Sequence, residues 1–248
     1  MKAMILAAGL GARLRPLTDT VPKALVDLGG APMLEIVLKR LSDAGVTEVI
    51  INAHHLADKL TDFLKNRSGA GLKIEISREV FFPLETGGGV KKAAWFLKDG
   101  GPFFLYNCDV LTDMDLKAMM AGHLKNGALA TVAVKERPSA RQLVFDAEMN
   151  LRGRINSNNP AVQWAGDPLK DPVMLAFSGV HVISPEIFPL MTESGVFSIV
   201  DVYLRLVKAG NKIKGFRMDG CYWQDIGNIE KLEAARRHMT EQKKVASD

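Results

Sequence analysis

Short apolar runs alternate with amphipathic stretches along the first 135 residues. Residues 3–7 are apolar and stop just before Gly9. Such a run, bounded by glycine, predicts a buried strand of a parallel sheet. Leu34, Val37, Leu38 and Leu41 recur at the i, i+3, i+4, i+7 spacing of one helical face, and Gly45 marks the stop. Strands follow at residues 46–51, 72–76, 103–106 and 129–134. The intervening stretches 56–64 and 87–97 read as helices, the second opened by Gly87, Gly88 and Gly89. Asp113 is placed to cap a further helix carrying Leu116, Met119, Met120 and Leu124. Alternation of this kind predicts right-handed βαβ units. The fold class is α/β: a Rossmann-like, doubly wound, mostly parallel mixed sheet with helices on both faces.

Beyond residue 138 the rhythm changes. Short strands are expected at 143–145 and 151–155, then a polar loop over 156–171, a long strand at 175–183, a helix at 197–207 and a strand at 212–217. Tyr222-Trp223-Gln224-Asp225 lies near a strand end, before a last helix capped by Asn228. The expected organisation is a single domain over 1–240, with a first part to 135 and a second from 136, and a disordered polar tail over 241–248.

Composition changes this picture little. The chain has 248 residues, 47% hydrophobic and 24% charged, the balance of an ordinary globular protein. The formal charge of +4 is spread without a dense basic block, which argues against nucleic acid as a partner. Two cysteines, Cys108 and Cys221, are too few for a disulfide framework and fit a reducing cytoplasm. The opening apolar run is too short for a signal peptide, and no stretch reaches the length of a membrane span. A cytoplasmic protein without a membrane partner is expected, and oligomeric state is not legible.

The candidate chemistry begins after the first strand, in Leu6-Ala7-Ala8-Gly9-Leu10-Gly11-Ala12-Arg13-Leu14. Glycines there let backbone N–H groups approach phosphates. The dinucleotide fingerprint GxGxxG fails, because Leu14 holds the third glycine position, and no Walker A sequence occurs. What remains is a GxG turn followed by Arg13, Arg15 and, after Pro22, Lys23. Guanidinium groups grip phosphate bidentately, and a lysine adds a point charge. Asp109 follows a predicted strand end, where open α/β sheets bind ligands, and Asp225 lies far along the chain. Taken singly, each reads as a helix cap or a surface charge. Brought together, two carboxylates hold one Mg²⁺.

These residues carry a resemblance. Gly9-x-Gly11-x-Arg13-Leu14-x-Pro16-Leu17-Thr18, then Pro22-Lys23, resembles the signature loop of the sugar-1-phosphate nucleotidyltransferases. Asp109 and Asp225-Ile226-Gly227 match the family's two metal aspartates, with Cys108 in place of the usual glycine and Asn228 in place of threonine. The resemblance runs along nearly the whole chain. It implies the nucleotide-diphospho-sugar transferase fold, with a nucleoside triphosphate and a sugar 1-phosphate as substrates and Mg²⁺ as cofactor at Asp109 and Asp225. Arg13 and Lys23 become catalytic residues. Leu6, Ala8, Gly9, Gly11, Arg13, Glu85 and Gly88 contact the nucleotide, and Asn107 and Gly179 the sugar.

The Glu85-Thr86-Gly87-Gly88-Gly89 form is similar to that of bacterial N-acetylmuramate-1-phosphate uridylyltransferases, which serve peptidoglycan recycling. Mannose-1-phosphate guanylyltransferases share a similar form, so a guanylyltransferase acting on mannose or heptose 1-phosphate is the alternative. A non-catalytic nucleotide-sugar-binding regulator is a further one. The Glu-Lys-Pro motif of many relatives is absent, Glu136-Arg137-Pro138 being the nearest string. No hexapeptide-repeat region follows, which argues against the bifunctional enzymes of the family.

Overall fold

The computed structural model describes residues 1–67, 71–156 and 159–245. In chain order the elements are β1 (Lys2–Leu6), α1 (Leu17–Thr20), α2 (Met33–Asp43), β2 (Glu48–Ala53), α3 (Ala57–Lys65), β3 (Lys73–Arg78), α4 (Glu85–Lys92), α5 (Ala94–Leu97), β4 (Phe103–Asn107), β5 (Val110–Thr112), α6 (Leu116–Asn126), β6 (Ala130–Lys135), β7 (Gln142–Phe145), β8 (Leu151–Asn156), β9 (Asn159–Trp164), β10 (Val173–Ile183), α7 (Ile199–Lys208), β11 (Ile213–Arg217), β12 (Trp223–Asp225) and α8 (Ile229–Val245). Two compact units interleave along the chain. The first comprises Ala3–Pro83, Tyr106–Asp113 and Tyr222–Asp248, and the second Met1–Lys2, Leu84–Leu105 and Met114–Cys221.

The first unit holds the expected parallel strands in the order β3-β2-β1. β2 and β3 run parallel with Val49 opposite Ile74 and Ile51 opposite Ile76, and α3 forms the crossover between them. α2 forms because its apolar positions share one face: Leu34, Val37, Leu38 and Leu41 are fully buried. Each such side chain contributes roughly 1.5–3 kcal/mol of transfer free energy. The helix ends where Gly45 takes a left-handed φ of 91° and the Val46 N–H returns to the Leu41 carbonyl at 3.0 Å, a Schellman closure.

α8 departs from expectation, because the segment from residue 241 continues as helix to Val245. Its polar composition hid two anchors along this helix: Arg236 donates to the Asp27 carbonyl, and Lys243 to the Gly29 carbonyl at 2.6 Å.

The second unit is mostly antiparallel. β10 pairs antiparallel with β6 and β7, β7 with β8, and β8 with β9, while β11 lies parallel to β6. The polar stretch expected as a loop over 156–171 therefore contains β9; residues 157 and 158 lie outside the described residues. The cap expected of Asp113 belongs to Asp115, whose carboxylate accepts from the Ala118 N–H at 2.9 Å, whereas Asp113 accepts from the Tyr222 N–H. No helix among the described residues is long and apolar enough to cross a membrane.

β10 also buries His181, whose Nδ1 lies 3.1 Å from the Tyr203 hydroxyl and whose ring packs against Phe177. Burial pushes this imidazole down to about 3. In the unfolded chain it titrates near its ordinary value of about 6.5. Between those two values the unfolded state binds the extra proton, so stability is lost as pH falls through the unfolded value. We expect His181 to cost about 2 kcal/mol of unfolding free energy between pH 7 and pH 5. Urea unfolding at both pH values should show a larger loss in the wild type than in His181→Gln, where His123, also lowered by burial, remains; equal losses in the two proteins would refute the assignment.

Candidate active site

The site is assembled within the first unit. β1 delivers the chain into the glycine-rich turn, and the Ala7 N–H is fixed by the Asn52 Oδ1 at the end of β2, 2.6 Å away. Asn52 in turn donates to the buried Glu79 carboxylate at 2.8 Å. Gly11 takes a left-handed φ of 64°, and a Cβ there would lie 2.8 Å from the Thr18 methyl. Thr18 closes the turn by donating to the Gly11 carbonyl at 2.8 Å, and His55 Nε2 holds the Thr18 carbonyl at 3.0 Å. His54 Nδ1 lies 2.7 Å from the Glu79 carbonyl. Both histidines therefore bond to backbone carbonyls around this loop. Beside Gly9, by contrast, an added Cβ would meet nothing within 4 Å, so its backbone is open to a ligand.

A two-stranded antiparallel ribbon brings the two aspartates together. In it β12 pairs with β5, with Asp225 opposite Val110 and Trp223 opposite Thr112. The Ile226 N–H bonds the Asp109 carbonyl at 2.9 Å. Each carboxylate carries a lysine: Lys23 Nζ lies 2.5 Å from Asp109 Oδ2, and Lys231 Nζ lies 2.5 Å from Asp225 Oδ2. Asp225 Oδ1 accepts from the Gly227 N–H at 2.9 Å. Arg13 reaches the same corner. A Cβ on Gly227 would sit 2.5 Å from Asp225 Oδ1 and 3.1 Å from Arg13 Nη2. Arg13, Lys23, Asp109 and Asp225 are thus gathered in one unit.

Neighbouring groups refine the picture. Cys108 is buried, and its N–H bonds the Leu6 carbonyl at 3.1 Å. Burial, with the Asp109 charge added and Lys23 opposing, pushes its thiol well above the usual range. It stays protonated and supplies no thiolate. Asn107 Oδ1 is buried and finds no donor among the described residues. Ala8 is buried beside the turn.

No group of three His, Cys, Asp or Glu side chains converges on a metal among the described residues. Two carboxylates are nonetheless the donor set that suits Mg²⁺, which takes one or two protein oxygens and completes its shell with phosphate and water.

Glu85, Gly88 and Gly179 belong to the second unit. Glu85 holds a φ of 57°, a conformation that strains a residue with a Cβ. α4 begins two residues before Gly87, at Glu85, and both Gly87 and Gly88 are closely packed. A Cβ on Gly87 would meet the Phe197 ring at 2.5 Å, and one on Gly88 would meet the Gly195 carbonyl oxygen at 2.5 Å. Gly179, with a φ of 83°, sits in the irregularity of β10 between Phe177 and His181. Lys231 joins this corner without a motif to mark it; its only signal in the sequence is a lysine in the first turn of the helix capped by Asn228.

The family model described as nucleotidyl transferase matches residues 2–242. The chain is 36% identical over 241 residues to the N-acetylmuramate α-1-phosphate uridylyltransferase of Neisseria meningitidis, covering 95% of this chain and 97% of that one. It is 32% identical to the mannose-1-phosphate guanyltransferase of Aspergillus oryzae, covering 92% of this chain but 61% of that one. A UDP-glucose pyrophosphorylase solved with UDP-glucose shares the fold, with a TM-score of 0.79 at 18% identity, over 97% of this chain and 98% of that one. The match along almost the whole chain places this protein in the nucleotidyl transferase family of enzymes.

Proposed function

We propose that this enzyme, a sugar-1-phosphate nucleotidyltransferase, transfers UMP from UTP to N-acetylmuramate 1-phosphate, with Mg²⁺, in the cytoplasm and in the service of peptidoglycan recycling. The observation that carries the chemistry is the pair of lysine-bonded aspartates on the β5–β12 ribbon, with Arg13 at the same corner. Similarity to the Neisseria uridylyltransferase over almost the full length of both chains supports the choice of base and sugar.

The sugar phosphate oxygen attacks the α-phosphorus, the α–β bridge bond breaks, and pyrophosphate leaves. Such transfer rests on positioning and charge neutralisation. Asp109 and Asp225 would hold the Mg²⁺, which when bound would neutralise charge on the reacting phosphates. Lys23 stabilises charge at the α-phosphate. Arg13 grips the departing pyrophosphate, and the N–H groups of Gly9 and Gly11 donate to its oxygens. Leu6 and Ala8 border the nucleotide on the same turn, and Glu85 and Gly88 are assigned to its base side. Asn107 and Gly179 are assigned to the sugar; a sugar hydroxyl is a fitting donor for the buried Asn107 oxygen.

The test is pyrophosphate release across UTP, GTP, CTP and dTTP, each with a panel of sugar 1-phosphates, with Mg²⁺ and after chelation. The highest kcat/KM is expected for UTP with N-acetylmuramate 1-phosphate, and chelation should abolish it. Preference for GTP with mannose 1-phosphate would replace both substrates and keep the enzyme class. The 32% identity to a guanyltransferase is what makes that second reading specific.

A further inference from the structure

Lys231 stands where helix chemistry argues against a lysine. Asn228 caps α8 by accepting from the Lys231 N–H at 2.9 Å, which makes Lys231 the third residue of the helix. That position favours Glu or Gln, which reach back to the cap, and the positive end of the helix dipole disfavours a cation there. The compensation is the ion pair with Asp225.

The two lysine–aspartate pairs of the site are not equivalent. The Lys23 side chain is 16% exposed and fixed among its neighbours, whereas that of Lys231 is 41% exposed. An exposed ammonium on a flexible stem leaves its partner at little cost, and a half-exposed pair is held only weakly. Asp225 Oδ1 already accepts from the Gly227 N–H, and Lys231 takes Oδ2. A cation that binds through Oδ2 therefore competes with Lys231 for the charge on that oxygen.

We propose that Lys231 is a positioning residue that competes with the divalent cation for Asp225 and, once displaced, pairs with a phosphate of the nucleotide. Cation binding is thereby coupled to nucleotide binding: the cation alone competes with Lys231, while cation and triphosphate together give the ammonium a new partner. The inference rests on the reading of Asp109 and Asp225 as the metal carboxylates.

The test measures Mn²⁺ binding by the loss of its free electron-paramagnetic-resonance signal, on the full chain, with and without a non-hydrolysable UTP analogue. Without nucleotide, Lys231→Met should bind Mn²⁺ about tenfold more tightly than the wild type, the effect of removing one competing charge. The analogue should tighten Mn²⁺ binding strongly in the wild type and little in Lys231→Met. Lys231→Arg, which keeps the charge, should behave like the wild type. In turnover, Lys231→Met should raise the KM for the nucleotide more than it lowers kcat.

Unchanged or weaker Mn²⁺ affinity in Lys231→Met would overturn the inference. If Asp225→Asn abolishes Mn²⁺ binding while Lys231→Met leaves it untouched, the metal assignment stands and only the role of Lys231 falls. If neither the wild type nor any variant binds Mn²⁺, with or without the analogue, both fall.

Discussion

Asp109→Asn is expected to lower kcat by roughly 10³-fold or more, the scale on which loss of a charge-stabilising group at a reacting phosphate is felt. The substitution keeps the shape of the side chain and removes its charge. An amide oxygen is a poor substitute for a carboxylate towards a hard cation. It also strips Lys23 of its counter-ion, and Lys23 is largely buried, so the ammonium that should meet the α-phosphate is left free to move. Both effects fall on the transition state, so kcat should fall further than KM rises. Pyrophosphate release at saturating UTP and Mg²⁺ is the measurement, with circular dichroism to show that the variant is folded. Asp109→Glu, which keeps the charge and displaces it, should fall in between. Near-normal turnover in Asp109→Asn would remove Asp109 from the chemistry altogether.

The parts of the site that the sequence disclosed are those whose chemistry restricts residue type. A turn that must present backbone to phosphate requires glycine, a cation site requires carboxylates, and phosphate requires Arg or Lys. Gly9, Gly11, Arg13 and Lys23 therefore stand out as a candidate phosphate loop, whereas Asp109 and Asp225, each a cap or surface charge when taken singly, stand out as a pair through the family resemblance. The same logic served the fold wherever the pattern was local: α2 declared itself through Leu34, Val37, Leu38 and Leu41, β2 through its apolar run, and β3 through the alternation of Leu72, Ile74 and Ile76 with Lys73 and Glu75.

Elements made by distant pairing stayed hidden. Val110–Thr112 is too short to show a period, and it is a strand only because residues 223–225 lie against it. β9 looks like polar loop, and pairing with β8 makes it a strand, with Arg154 donating to the Gln163 side chain at 2.8 Å across the pair. The glycines of α4 pose another difficulty. A run of glycine signals close approach but does not say to what, and here Gly87 and Gly88 face Phe197 and Gly195. Lys231 is the functional counterpart of the same difficulty, since its partner Asp225 is apparent only once α8 is placed.

Gly227→Ala should separate activity from stability more cleanly than any other change in the site. No left-handed backbone demands glycine at this position. The objection to a side chain is steric and local: the new methyl would sit 2.5 Å from Asp225 Oδ1 and 3.1 Å from Arg13 Nη2. Both obstructing atoms end polar side chains and not backbone, so the fold relieves the clash by letting those side chains move. Little core packing is lost, and the melting temperature should stay within a few degrees, since about 1 kcal/mol shifts it by 2–4 °C in a chain of this size. What moves is the functional pair. Asp225 must turn its Oδ1 from the Gly227 N–H that holds it at 2.9 Å, and Arg13 must back away from the corner where the pyrophosphate is to be gripped. Misplacement of about 1 Å in such a constellation costs on the order of 10²-fold, so kcat/KM should fall by about that factor. Turnover and thermal unfolding measured on the same preparation decide the matter. A fall in both together would mean that Gly227 serves the fold, and a fall in neither would mean that Asp225 and Arg13 do not act from the positions they hold.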